Sequence, residues 1–165
     1  MCDELGIQML VRDDNEHAKA GNINTALPRT QGDLVLILDC DHIPSRGLLQ
    51  HVVGFFQNPK VALVQTPHCF HNPDPFERNL LTKGKIPVGN ELFYKVLQKG
   101  NDYWNAAFFC GSAAVIRRNC LLEVGGIATE TVTRRCFRLM WGSRCGGRGG
   151  WRRFCVWKIR CSTPS

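Results

Sequence analysis

No apolar stretch in this chain approaches the roughly 20 residues that a membrane-crossing helix needs, so the polypeptide by itself is not expected to cross a bilayer. Its nine cysteines include no C-x-x-C pair, which removes the spacing that a structural zinc site uses. The opening Met1-Cys-Asp-Glu-Leu-Gly6 has neither a basic region nor an apolar core. No secretory leader is therefore expected, and the thiols are expected to be reduced and cytosolic. Acid is missing altogether from Arg134 to Ser165, where arginine occurs eight times and cysteine four times. That segment supplies the positive excess behind the net charge of +7, because acids and bases nearly balance up to Thr133. A basic chain ordinarily points to nucleic acid or an anionic membrane. An excess confined to one end of odd composition leaves no nucleic-acid partner expected, and a nucleic-acid-binding tail is kept only as a third reading.

What the chain does have is centred on Asp33-Leu-Val-Leu-Ile-Leu-Asp39-Cys40-Asp41-His42. Five apolar residues in a row, bounded by Gly32 and Pro44, predict a strand buried on both faces of a parallel sheet. Side chains alternate along a strand, so Asp39 and Asp41 would leave its C-terminal end on one side. Open α/β sheets bind ligands beyond those ends. Two hard oxygen donors there, with His42 beside them, suit a divalent cation that also takes oxygens from a diphosphate. Two exposed turn carboxylates are the plainer alternative for a D-x-D triplet.

Around that strand, Ile7 to Val11 predicts a short strand, and Arg12 to Glu16 a polar loop. A helix is predicted to begin near Ala18 and to carry Lys19 at its N-terminus, where backbone N–H groups already favour anions. Ser45 is predicted to cap a helix through Leu48, Leu49, Val52, Val53 and Phe56, stopped by Asn58-Pro59. Val61 to Gln65 is a second strand, which makes a parallel strand–helix–strand unit with the first. A proline-rich loop runs from Gln65 to Phe76, and a short helix is predicted from Phe76 to Leu81. Helical spacing returns over Glu91 to Gln98 through Leu92, Phe93, Val96 and Leu97. Two apolar strands are expected to flank Cys110-Gly111-Ser112, and a short helix over Cys120 to Val124 ends at Gly125-Gly126. Nothing pairs a cysteine with a base, so cysteine catalysis is not expected.

In their order, His17-Ala-Lys-Ala-Gly-Asn22, Asp39-Cys-Asp-His42, Gln65-Thr-Pro-His68 with Asn72-Pro-Asp-Pro75, and Phe108-Phe-Cys-Gly-Ser112 resemble bacterial cellulose synthase catalytic subunits, processive family 2 glycosyltransferases. The likeness covers residues 1 to about 133. It implies an α/β fold: an incomplete GT-A, or nucleotide-diphospho-sugar transferase, domain over 1–133, with a mostly parallel sheet flanked by helices. The basic tail over 134–165 is expected to be disordered. The implied activity is inverting transfer of glucose from UDP-glucose to the 4-hydroxyl of a growing β-1,4-glucan, with Mg²⁺. The resemblance makes Lys19, Asp39 and Asp41 donor-binding and Asp39, Asp41 and His42 the metal side. It makes Trp104, Phe108, Phe109, Cys110, Gly111 and Ser112 the acceptor wall. Implied partners of the parent protein are the membrane, other cellulose synthase subunits and cyclic-di-GMP control, at the cytoplasmic face of the bacterial inner membrane. Alternatives are another processive family 2 synthase of hyaluronan or chitin type, or a non-catalytic UDP- and metal-binding module.

The chain also departs from the pattern. The family's uridine-contacting strand, Q-x-x-R-W motif, transmembrane helices and cyclic-di-GMP-binding domain are not found. After Thr133 the family continues into Glu-Asp, whose aspartate is the general base, and here Arg134-Arg135-Cys136 follows. Arginine cannot accept a proton at neutral pH, so no catalytic residue is intact and the chain itself is expected to be inactive. Codons CGA-AGA-TGC for Arg-Arg-Cys would read Glu-Asp one base later, so a frameshift after Thr133 is the expected origin of the tail. The nucleotide sequence there decides it: any other arginine codons at 134 and 135 that cannot yield Glu-Asp sink the idea.

Overall fold

A computed structural model describes residues 2–68, 79, 92–104, 106–129 and 153–156. Its elements in chain order are α1 (Ala18–Ala26), β1 (Leu34–Ile37), α2 (Leu48–Val53), β2 (Val61–Gln65), α3 (Gln98–Tyr103), β3 (Ala114–Arg117), α4 (Arg118–Glu123) and β4 (Arg153–Val156). The strands form one sheet in the order β1-β3-β2-β4. β3 is antiparallel to both β1 and β2, and β4 is parallel to β2. Three of the four strands thus run in one direction, although two of the three ladders are antiparallel, and β4 comes from the segment after Thr133. β3 runs against them and separates the two strands of the expected strand–helix–strand unit.

Alternation along the strands gives the sheet two apolar faces. Ile37, Leu63, Ala114 and Ile116 pack with Leu27 and Leu121 on one side. Val61, Val64 and Val115 pack with Leu48, Val52 and Phe56 on the other. Val61 and Leu63 face opposite ways because the register slips by one residue between them, a bulge that resets the alternation. Every residue of β2 is buried. β1 is less enclosed than its sequence suggests: it lies at the sheet edge, and only Ile37 is buried.

Several local expectations need correction. Ile7 to Val11 forms no strand and is exposed throughout, because no described strand offers it a ladder of hydrogen bonds. Ser45 does not cap α2, whose first flanking residue is Gly47. Leu48, Val52 and Phe56 are buried at four-residue spacing, while Leu49 and Val53 are exposed. Only one strand borders Cys110-Gly111-Ser112, since residues 106–110 have no regular structure. The helix through Leu92 contains a π-helical turn over Phe93–Leu97 before α3. That wider turn buries Gln98 and leaves Leu92, Val96 and Leu97 exposed. The predicted helix over Phe76 to Leu81, apart from residue 79, and most of the Gln65 to Phe76 loop lie outside the described residues. So does the tail expected to be disordered, apart from β4.

Two arginines at the end of β3 tie the layers together. Arg117 lies over the Phe56 ring and donates to the carbonyls of Val61 and Phe56. Arg118 donates to the carbonyls of Leu27 and Thr30, which locks α4 to the C-terminal end of α1. Gly125, at φ 83°, stops α4: its N–H donates to Leu122 O and that of Gly126 to Leu121 O.

Candidate functional site

The site lies where β1 ends and three other segments meet it. Asp39, Asp41 and His42 each offer a ligand atom, and these atoms all lie within 4.8 Å of one another. The turn that gathers them is closed by the His42 N–H donating to Asp39 O at 3.1 Å. Two carboxylates and an imidazole are donors that fit a divalent cation.

α1 brings Lys19 to the same place. Its ammonium forms an ion pair with Asp39 Oδ1 and donates to Gly111 O at 2.8 Å. The Lys19 hydrogen bond holds the Asp39 carboxyl below the ordinary carboxylate range, with the Ser112 hydroxyl adding to the effect. A carboxylate has two oxygens, so Lys19 on Oδ1 leaves Oδ2 for a cation. α1 begins on a tight entry, with His17 and Ala18 both in the left-handed region at φ 60° and 44°. Two non-glycine residues held there cost energy that local structure must offset. Arg12 supplies part of that support, bonding Asp14, the Glu16 carbonyl and Asn22.

The loop before β3 is pinned from beneath by Gln65. Its side chain is fully buried. Gln65 Nε2 donates to Ser112 O at 2.8 Å and Oε1 accepts from the Cys110 N–H at 2.9 Å. Thr66 donates its hydroxyl and its N–H to Ala113 O, across a residue held at φ 51°. Ser112 is buried, and its Oγ lies 2.9 Å from His42 Nδ1. His68 extends the polar chain. Its Nε2–H donates to Ser112 O at 3.3 Å, and its Nδ1 accepts from the Tyr94 hydroxyl at 3.1 Å. Burial pushes the His68 pKa down and the Tyr94 phenol up to about 12. Cys110 is pushed up to about 11 by burial and receives the Gln98 amide on Sγ; at neutral pH its thiol is therefore not a nucleophile.

Beside Lys19 opens a cleft of about 190 Å³, lined by Lys19, Ile23, Phe109, Gly111, Ile127 and Ala128 among others. Asn24, one turn along α1, clamps the far wall. Its amide donates to Ile127 O at 2.8 Å and accepts from the Ile127 N–H at 2.7 Å. A Cβ at Gly126 would strike that amide.

Of the residues singled out by sequence, Lys19, Asp39, Asp41, His42, Gly111 and Ser112 converge, and Phe109 lines the adjoining cleft. Phe108 packs edge-on against Phe93, and Cys110 sits against Gln98. Trp104 is 79% exposed, packs on the ring of Tyr103, and is not among the described residues that line the cleft. Asn24 and Arg118 were not singled out, and Gln65 entered only as the first residue of the Gln65-Thr-Pro-His68 motif, with no role in the site. A polar side chain ending an otherwise apolar strand, and an asparagine inside a helix where its propensity is poor, were the available signals.

Comparison with known proteins places this geometry in context. Residues 1–125 match the Glycosyl transferase family 2 model. The cellulose synthase catalytic subunit [UDP-forming] of Xanthomonas axonopodis pv. citri (strain 306) is 62% identical over 133 residues, 80% of this chain and 18% of that protein. The protein of the same description from Pseudomonas fluorescens (strain SBW25) is 55% identical over 133 residues, with the same two shares. Cellulose synthase 2 of Novacetimonas hansenii is 55% identical over 131 residues, 79% of this chain and 8% of that protein. The chain spans less than a fifth of the length of these relatives.

Proposed function

The chain belongs to glycosyl transferase family 2, and on that premise we propose that it is a piece of a UDP-forming cellulose synthase catalytic subunit. The parent reaction is inverting transfer of glucose from UDP-glucose to the 4-hydroxyl of a β-1,4-glucan. One observation carries the reading: Lys19 on α1 and Asp39 at the end of β1 meet at a cluster of cation-binding donors, beside a cleft walled by Phe109 and Ile127. Lys19 would bind a donor diphosphate, and the cleft would take the sugar next to it. Asp39, Asp41 and His42 would hold Mg²⁺. When bound, such an ion supplies Lewis-acid neutralisation of the charge building on the departing UDP. Phe108 to Ser112, with Trp104 before them, are proposed as the acceptor side.

The chain's own residues do not complete catalysis. The acceptor hydroxyl must lose a proton as its oxygen attacks the anomeric carbon, and Arg134 and Arg135 stand where the family's base is expected. Loss of a general base removes roughly 10²–10⁴ in rate. Residues 1–133 are thus proposed as a partial donor domain, with 134–165 foreign to it. No helix among the described residues is long and apolar enough to cross a membrane. Placement at the cytoplasmic face of an inner membrane, association with other synthase subunits and cyclic-di-GMP control are proposed for the parent protein.

A calorimetric panel of UDP-glucose, UDP-N-acetylglucosamine and UDP, each with Mg²⁺, tests the reading. UDP-glucose is expected to bind tightest, and Asp41→Ala is expected to abolish the heat. Preference for UDP-N-acetylglucosamine would favour a hyaluronan- or chitin-type parent. Equal binding of UDP and UDP-glucose would favour a nucleotide module without sugar recognition. Heats unchanged by Asp41→Ala would remove the proposed site.

A further inference from the structure

We propose that Gln65 is a positioning residue for the Lys19 ammonium, acting through the Gly111 carbonyl. The inference rests on reading Lys19 as the contact to a diphosphate. An ammonium has three donors and no acceptor. Lys19 gives one to Asp39 Oδ1 and one to Gly111 O at 2.8 Å, which leaves one for a phosphate oxygen. Two fixed acceptors set where the third N–H points. The place of the Gly111 carbonyl therefore decides how Lys19 meets a ligand.

That carbonyl belongs to a turn that is not stable by itself. Gly111 stands at φ 90° and Ala113 at φ 51°, and a non-glycine residue in the left-handed region persists only where its surroundings hold it. One side chain grips the turn on both sides of Gly111. Gln65 Oε1 accepts from the Cys110 N–H at 2.9 Å, and Nε2 donates to the Ser112 carbonyl at 2.8 Å. Thr66, the next residue, holds Ala113 O with its hydroxyl and its N–H.

The amide is needed for this turn and not for β2. Gln65 closes a strand whose other four residues are apolar, and it is 0% exposed like its neighbours Leu63 and Val64. An apolar side chain of equal bulk would fill the same space at no desolvation cost. The Ser112 carbonyl has a second donor in His68 Nε2, whereas the Cys110 N–H has Gln65 as its acceptor. Gln65 thus reaches the diphosphate site without touching the ligand, in the order Gln65 amide, Gly111 carbonyl, Lys19 ammonium.

Calorimetric titration of UDP with Mg²⁺ into the whole chain tests the proposal, in the wild type, Gln65→Leu, Lys19→Met and the double variant. The ¹³C shift of the Gly111 carbonyl adds a readout that needs no ligand. Gln65→Leu is expected to weaken UDP binding roughly tenfold, the worth of one hydrogen bond to a charged group. It is also expected to move the Gly111 carbonyl shift in the direction that Lys19→Met moves it. Added to Lys19→Met it is expected to cost nothing further, which a general loss of stability would not reproduce. Gln65→Glu, kept as the neutral acid by burial beside carbonyls, retains one acceptor and one donor and is expected to recover most of the affinity. If Lys19→Met binds UDP as the wild type does, the diphosphate reading is wrong and the proposal falls with it. If Lys19→Met weakens binding while Gln65→Leu does not, the site stands and the role of Gln65 is overturned. The same holds if Gln65→Leu costs as much without Lys19 as with it. A Gly111 carbonyl shift that Lys19→Met leaves unchanged overturns the proposal without any change at Gln65.

Discussion

Ile7 to Val11 lies open to solvent, with Met9 69% exposed, whereas Val61 to Gln65 is buried at every residue. Both are runs of five residues rich in apolar side chains. The second has β3 on one edge, β4 on the other, and helices against both faces. The first has no strand beside it among the described residues. Apolar content supplies the transfer free energy, but an extended segment also needs partners for its N–H and C=O groups. β1 lies between these extremes, with β3 on one edge only and three of its four residues half-buried. Burial of an apolar run here follows the number of ladders it joins more closely than its composition.

Truncating each run is the strongest way to break that comparison. Leu63→Ala, in β2 at 0% exposure, is expected to cost about 2–5 kcal/mol in a urea titration. Met9→Ala is expected to fall within about 0.5 kcal/mol of the wild type. Equal losses would show that the first run is buried in solution. Gln65→Leu should come next. It keeps the bulk but strands the Cys110 N–H and removes one of two donors to the Ser112 carbonyl, for about 1–3 kcal/mol. Unchanged stability would show that water replaces the side chain. A smaller effect, about 1 kcal/mol, is expected for Asn24→Ala, with faster exchange of the Ile127 amide as its local signature.

The pH dependence should be smaller still. Burial lowers the His68 pKa in the folded chain, so the unfolded chain binds the proton more readily. Stability from this group is present above the unfolded value of about 6.5 and is lost as pH falls toward the folded one. His68→Asn should flatten that slope between neutral and mildly acidic pH. Asp39 has its pKa lowered by Lys19, so its share is present above the ordinary carboxylate range and lost only in stronger acid. Lys19→Met should reduce the acid-limb slope there.

What was legible from residues alone follows the same division. β2, the start of α1 at Ala18 and the Asp39-Asp41-His42 cluster are encoded by neighbours in the chain, through apolar runs, small helix formers and carboxylates one residue apart. The insertion of β3 between β1 and β2 was not legible, because it pairs Val35 with Ile116, far apart in the chain. The same holds for Ser112 on His42 and Asn24 on Ile127, contacts 70 and 103 residues apart. Leu92, Val96 and Leu97 misled for a local reason. The π-helical turn at Phe93–Leu97 rotates the face that an α-helical period assigns to the core.

The central claim is that Lys19 and the Asp39-Asp41-His42 cluster form one diphosphate site across two elements. Its most direct test is calorimetric titration of UDP into the chain with and without Mg²⁺, repeated with Asp41→Ala and Lys19→Ala. The account predicts binding that requires Mg²⁺, disappears in Asp41→Ala and weakens at least tenfold, about 1.4 kcal/mol, in Lys19→Ala. UDP binding of equal strength without Mg²⁺ and in both variants would contradict it.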